Sequence, residues 1–176
     1  MKVDEVSQTV DLKDLFGASL TGNEALKQKI GQAMIDKIIS RTESGTSVDG
    51  KNLKSPYSKR YAESDDFKAW GKTKRDINMK LTGQMLGTLD ILETGGSKIV
   101  IGWSDKTENA KAYNHNTGDT VPKRNFFGLN KKDLEEIRNQ FQDEVEEKSG
   151  KLQGEKDYVK SQILKRLNPR LFSSEG

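Results

Sequence analysis

The chain contains no cysteine and a single histidine among 176 residues. The first absence excludes disulfides, thiolate nucleophiles and thiolate metal ligands, and suits a protein made in a reducing cytoplasm. The second leaves His115 with no second imidazole for a multi-histidine metal site and no triad to join, so a histidine satisfied by hydrogen bonds is the expected reading. No apolar run approaches membrane-spanning length and no apolar h-region follows Met1, so neither a membrane anchor nor a Sec-type export signal is expected. Apolar residues are also scarce, at 32%, and charged residues match them at 32%. A small core with extended polar arms has this balance, as does a subunit lying mostly on the surface of an assembly. The length fits one domain, or one domain with an appendage.

Charge of one sign is lacking too: 30 basic and 27 acidic residues leave a net +3, too balanced for a dedicated DNA binder. The local exception is 51–80, where Lys51, Lys54, Lys59, Arg60, Lys68, Lys72, Lys74, Arg75 and Lys80 interleave with Tyr57, Tyr61, Phe67 and Trp70. Basic side chains set among aromatics can hold phosphates and stack on bases. Glu63, Asp65, Asp66 and Asp76 dilute that field, and an exposed loop with a few anchoring aromatics is the weightier reading.

Helical periodicity is clearest in two places. Leu26, Ile30, Met34 and Ile38 recur every four residues, predicting a helix over 23–42 with Asn23 as cap, Glu24 at its positive end and Gly45 just beyond. Leu134, Ile137, Phe141 and Val145 predict a second over 131–147, with Asn130 able to accept from the N–H of Lys132 or Asp133. Between them, Gly95-Gly96 separates two β-rich runs and predicts a hairpin, with Ile99, Ile101 and Trp103 on its core face. The first twenty residues show no clean period and read as a strand-like arm running into a turn. The stretch 46–80 holds the turn signals Asp49-Gly50 and Ser55-Pro56 and reads as a long excursion with at most one short helix. A short helix is expected near 81–89, begun by Thr82 or Asn78, with Gly83 and Gly87 closely packed on a neighbouring backbone. The stretch 104–112 reads as turn-like, and 113–127 as a possible further strand. Past Lys148-Ser149-Gly150, the narrower stripe of Tyr158, Val159, Gln162, Ile163, Arg166 and Leu167 predicts a separate late helix stopped by Pro169.

Chemistry-bearing motifs are few. Gly71-Lys72-Thr73 has the ending of a phosphate-binding loop, but Asp66 stands where that motif needs glycine and no apolar strand leads into it. Asp143, Glu144, Glu146 and Glu147 point in several directions around a helix and read as a solvated face. Arg124 follows Pro122 and precedes Phe126 and Phe127, a setting in which a guanidinium could grip a carboxylate within the subunit or across an interface. Of the two phenylalanines, one is expected in the core and one at an interface.

The residues Tyr113, His115, Gly118, Pro122, Arg124, Phe126, Phe127, Gly128 and Leu129, followed by a helix, resemble the YA-x-x-HQ-x-G and P-x-R-x-F-L-G-L signature of phage virion morphogenesis proteins, the tail-completion or neck proteins of tailed phages. Asn114, Asn116 and Phe127 depart from the family's Ala, Gln and Leu. Asp49-Gly50, Leu53, Tyr57, Tyr61, Leu81-Thr82-Gly83, Met85 and Leu86 fall in the family's order, so the likeness spans 46–145. It implies a non-enzymatic virion protein, without cofactor or metal, that is made in the host cytoplasm and sits at the neck, where it completes the tail and joins it to the head. Its implied partners are further copies of itself in a ring, expected to be hexameric, the head–tail connector or portal adaptor, tail tube or sheath proteins, and phage DNA passing through the lumen. Arg124, Phe126, Phe127, His115, Tyr57, Tyr61 and Trp70 are the candidate interface residues. The rival readings are a nucleic-acid-binding or packaging accessory protein using 51–80, and an assembly chaperone absent from the finished particle. The expected fold is α+β: a small, mostly antiparallel sheet packed by the two main helices in a domain of 1–147, with the 46–80 loop as an arm and 148–176 as a helical extension.

Overall fold

The computed structural model describes residues 5–53, 57–72, 77–79 and 82–167. The Ser55-Pro56 turn, Lys54, Lys74, Arg75, Asp76, Lys80, Leu81, the Thr73 end of the phosphate-loop mimic and the Pro169 stop lie outside them. The order of elements is β1 (Ser7–Asp11), α1 (Leu12–Phe16), α2 (Glu24–Glu43), α3 (Lys59–Ala62), α4 (Asp65–Ala69), α5 (Gln84–Gly87), β2 (Asp90–Glu93), β3 (Lys98–Gly102), α6 (Lys106–Thr117) and α7 (Lys131–Leu167). The fold is α+β, as expected.

The hairpin forms where Gly95-Gly96 predicts it, with Gly96 at a φ of 58°. Its second strand becomes the centre of a three-stranded antiparallel sheet of order β1-β3-β2. The strand-like arm of the first residues is β1, paired from Ser7 with Gly102 to Asp11 with Lys98. Ile99, Ile101 and Trp103 are all buried, and the indole N–H of Trp103 donates to the Met85 carbonyl at 2.6 Å, so a buried donor is satisfied and α5 is tied to the sheet.

Across this sheet lies α2, with its predicted stripe of Leu26, Ile30, Met34 and Ile38 buried. Gly31 sets how close the helix comes: a Cβ there would lie 2.5 Å from Ile91 Cδ1 and 2.9 Å from Ile91 Cγ1. A larger residue there would push the Ile91 side chain aside. Asn23 stands at the N-terminus of α2 without making the side-chain cap expected of it, its backbone at φ −111° and ψ 62°. Glu24 instead joins its carboxylate to the buried Lys27 at 2.7 Å.

The excursion over 46–80 carries two single-turn helices, α3 and α4, rather than at most one. Ser58 accepts from the N–H of Tyr61 and Ser64 from that of Phe67, so each turn has its own hydroxyl cap. Gly87 borders open space, contrary to the close packing expected of it.

Two further expectations are corrected. The stretch 106–117 is neither turn nor strand: it is α6, capped by Asp105, whose carboxylate accepts from the N–H groups of Thr107 and Glu108 at 2.9 Å each. Its buried face is made of Glu108, Asn109 and Ala112, so its hydrophobic pattern is nearly silent. The late helix is not separate either, since α7 runs unbroken through Ser149 and Gly150. An interior glycine costs a helix only about 1 kcal/mol, which the growing helix absorbs.

The N-terminus of α7 carries a reciprocal cap. Asn130 Oδ1 accepts from the N–H of Asp133 at 2.9 Å, and Asp133 Oδ2 accepts from the N–H of Asn130 at 3.1 Å. The same Asp133 forms a buried ion pair with Arg41 near the end of α2, and Arg41 Nη2 also donates to the Phe126 carbonyl at 3.0 Å. Asp133→Asn strands that guanidinium and is expected to lower unfolding free energy by about 3–5 kcal/mol in a denaturant titration. Glu144→Gln, which removes the exposed pair with Lys29, should change it by about 0–1 kcal/mol. Equal effects would show that the buried pair does not hold the two helices.

Candidate functional site

The 118–130 segment between α6 and α7 contains no strand, yet its backbone is held along its length. Gly118, at φ 83°, ends α6 and donates to the Asn114 carbonyl. A Cβ there would lie 2.7 Å from Lys123 Cβ, so glycine is needed for both the turn and the return of the chain. The return brings the N–H of Arg124 to the His115 carbonyl at 2.7 Å. Beyond it, Asn116 Oδ1 accepts from the Phe127 N–H at 3.3 Å, and Gln8 Oε1 accepts from the Leu129 N–H at 2.8 Å. On the outer side, Val48 donates to the Asn125 carbonyl at 2.9 Å and accepts from Asn130 Nδ2 at 2.6 Å. Partners drawn one at a time from α6, β1 and the start of the excursion replace the ladder a strand would have used.

Phe126 and Phe127 are both core residues. Their rings pack on Trp103 with centroids 6.2 and 4.9 Å away, and both are buried, so the expectation of one core and one interface phenylalanine is corrected. Arg124 is buried as well, at 3% exposure. Its guanidinium carbon lies 5.2 Å above the centre of the Tyr57 ring, and its Nη1 is 3.2 Å from His115 Nδ1. Burial pulls its pKa below the ordinary arginine value, with the Tyr57 and Tyr61 phenols opposing. Arg124 is thus built into the fold, and a truncation that leaves folding untouched is not expected of it.

Tyr57, Tyr61 and Phe67 form a triangle with centroids 5.2 Å apart on each side. Burial raises the Tyr61 phenol while the Arg124 charge opposes. Trp70, by contrast, is 57% exposed and stands apart from this cluster. Six of the seven candidate residues therefore fall in two groups, Tyr57, Tyr61, Arg124 and His115 in one and Phe126 with Phe127 on Trp103 in the other, whereas Trp70 faces solvent.

Beside the first group lies a cavity of about 450 Å³. Tyr57, Tyr61, Met79, Met85 and Pro122 give it an apolar wall, and Glu108, Lys111, His115 and Arg124 its polar one. Glu108 is buried: Oε1 accepts from Lys111 Nζ at 2.7 Å, and Oε2 has no hydrogen-bond partner among the described residues. Sequence reading overlooked Glu108 and Lys111 because it took 104–112 for a turn. The available signal was Asp105 followed three residues later by Glu108, the spacing of a helix start. Among the described residues no group of three or more His, Asp or Glu side chains is placed to hold a metal ion. No described helix is long and apolar enough to cross a membrane.

Comparisons with protein-family models, with curated proteins and with solved structures return no match.

A guanidinium only donates, so the 3.2 Å contact requires His115 Nδ1 to accept, with the ring neutral and its proton on Nε2. Burial, reinforced by the Arg124 charge, pushes the His115 pKa down from 6.5 to about 4. The unfolded chain then takes up this proton at a higher pH than the folded one. Stability is full above pH 6.5 and falls as pH drops from about 6.5 to about 4, by at most about 3 kcal/mol. Because the chain has one histidine, a single imidazole resonance reports it in an NMR titration. His115→Gln should flatten the acid limb of melting temperature against pH, and a native midpoint near 6.5 would overturn the assignment.

Proposed function

We propose that the chain is a non-enzymatic structural virion protein of a tailed phage, a ring subunit that completes the tail and joins it to the head at the neck. The observation that carries this reading is the convergence of the family-like residues. Tyr57 and Tyr61 come from one part of the sequence, His115 from another, and Arg124 to Leu129 from a third. Arg124 lies between the Tyr57 ring and the His115 imidazole, and its backbone N–H donates to the His115 carbonyl. That convergence on one unit is what supports the reading. The polar members of that unit are used as structural partners, which suits a protein that works by presenting surfaces.

A second reading has its own observation. Lys59, Arg60 and Lys68 are exposed on α3 and α4, close in sequence to the exposed Trp70, a combination that could track a nucleic-acid backbone. Partners of the joining role are the connector or portal adaptor, tube or sheath proteins, and DNA in the ring lumen.

Mass spectrometry of purified tailed particles, with neck images of particles carrying a labelled subunit, tests the proposal. The expected result is the chain present in finished particles and label density at the head–tail junction. A chain required for assembly but missing from finished particles would identify a chaperone. DNA binding whose affinity falls steeply with salt, and is lost in a Lys59→Ala, Lys68→Ala, Trp70→Ala variant, would move the conclusion to nucleic-acid recognition.

A further inference from the structure

The segment 57–72 is tied to itself more closely than to the rest of the protein. Ala62 and Phe67 are buried, yet both lie outside the main apolar cluster. Phe67 is covered instead by Tyr57 and Tyr61, the other two rings of the triangle. Among the described residues, each backbone–backbone hydrogen bond made by 58–72 stays inside the segment, from Ala62 with Ser58 to Lys72 with Phe67. The caps that Ser58 and Ser64 place on α3 and α4 are internal too. A segment that owns its apolar cluster and its hydrogen bonds can come away locally while the rest stays folded.

The contacts that join it to the body are made by side chains. The Arg124 guanidinium lies over the Tyr57 ring, and Lys72 Nζ donates to the Asn78 side chain. The cavity beside Arg124 is the space between the two parts. Tyr57, Ser58 and Tyr61 wall it from the side of the segment, and Met79, α5, α6 and Val121, Pro122 and Arg124 from the side of the body. A cation–π contact is a weak tie beside the strand pairings of the sheet, so parting these two walls costs less than unfolding the body.

We propose that 57–72 is a lid on this cavity that lifts as one unit, with the Arg124–Tyr57 contact as its latch. The proposal rests on the packing of this segment alone, and holds or fails whatever becomes of the virion reading.

Hydrogen exchange of the full chain, read peptide by peptide, tests it on variants whose thermal melts show them folded. Amides of 58–70 should exchange together, and faster than those of α2 and β3. Asp133→Asn, which weakens the joint between α2 and α7, should speed the α2 amides by roughly two to four orders of magnitude and leave 58–70 unchanged, because lifting the lid does not break that pair. Tyr57→Leu, which takes the ring from under the guanidinium, should speed 58–70 by roughly tenfold, whereas Tyr57→Phe keeps a ring there and the wild-type rate. Because the chain has no cysteine, one introduced thiol reports on the cavity itself. Met85→Cys, on the body side of the cavity, should react with a maleimide at a rate that Tyr57→Leu raises by the same factor. Exchange of 58–70 in step with α2, in the wild type or in Asp133→Asn, would show that there is no separate lid. Labelling of Met85→Cys indifferent to Tyr57→Leu would show that 57–72 does not cover the cavity, and equal exchange in Tyr57→Leu and wild type would remove the latch.

Discussion

The Arg41–Asp133 pair is the joint on which the rest of the structure hangs. Arg41 stands near the end of α2, Asp133 in the first turn of α7, and the same guanidinium donates to the carbonyls of Phe126 and Gly128. One side chain thus fixes two helices and the loop between α6 and α7. Burial pulls the guanidinium's pKa down, and Asp133 opposes that pull. Desolvating the two ions cancels much of their attraction, so the net contribution of such a pair is small beside the cost of removing one partner. The stabilisation comes from the apolar cluster beside it, where α2, the sheet, Trp103, the two phenylalanines and the first turns of α7 meet.

What the sequence made legible follows the strength of local patterns. The stripe of α2, the Gly95-Gly96 hairpin and the Asn130 cap each rest on a signal of a few adjacent residues, and each is where it was expected. The two short helices of the excursion rest on serine caps a single residue long. The helix α6 was missed for a different reason: its buried side is Glu108, Asn109 and Ala112, so burial there is achieved through hydrogen bonds and pairing. Asn109 Oδ1, for instance, accepts from the Val6 N–H at 2.9 Å, a contact between residues far apart in sequence. No periodicity argument can find a helix whose inner face is polar.

The candidate site was half legible for the same reason. Tyr57, Tyr61, His115 and Arg124 stand out by type, but their meeting depends on Gly118 turning the chain back along α6. Glu108 and Lys111, which complete the cavity, stand out only once α6 is known to be a helix. Phe126 and Phe127 resemble interface residues in sequence because they follow a proline in a polar stretch. Their true environment is set by Trp103, contributed by the hairpin.

The length of α7 turns the core into an aiming device. The part of α7 beyond Val145 would face an unfavourable nucleation step if it had to form by itself. Here it continues a helix already nucleated, so only propagation is needed. Phe141 and Val145, buried against the body, fix the rotation of α7 about its axis, and the Asp133 cap and ion pair fix where it starts. The direction in which Val159 and Ile163 face is therefore decided by residues about 20–50 Å away along the helix. A small rotation at the Arg41–Asp133 joint would swing the far end by several times the local displacement. Core packing and the geometry of any contact made by the extension are in this way a single constraint.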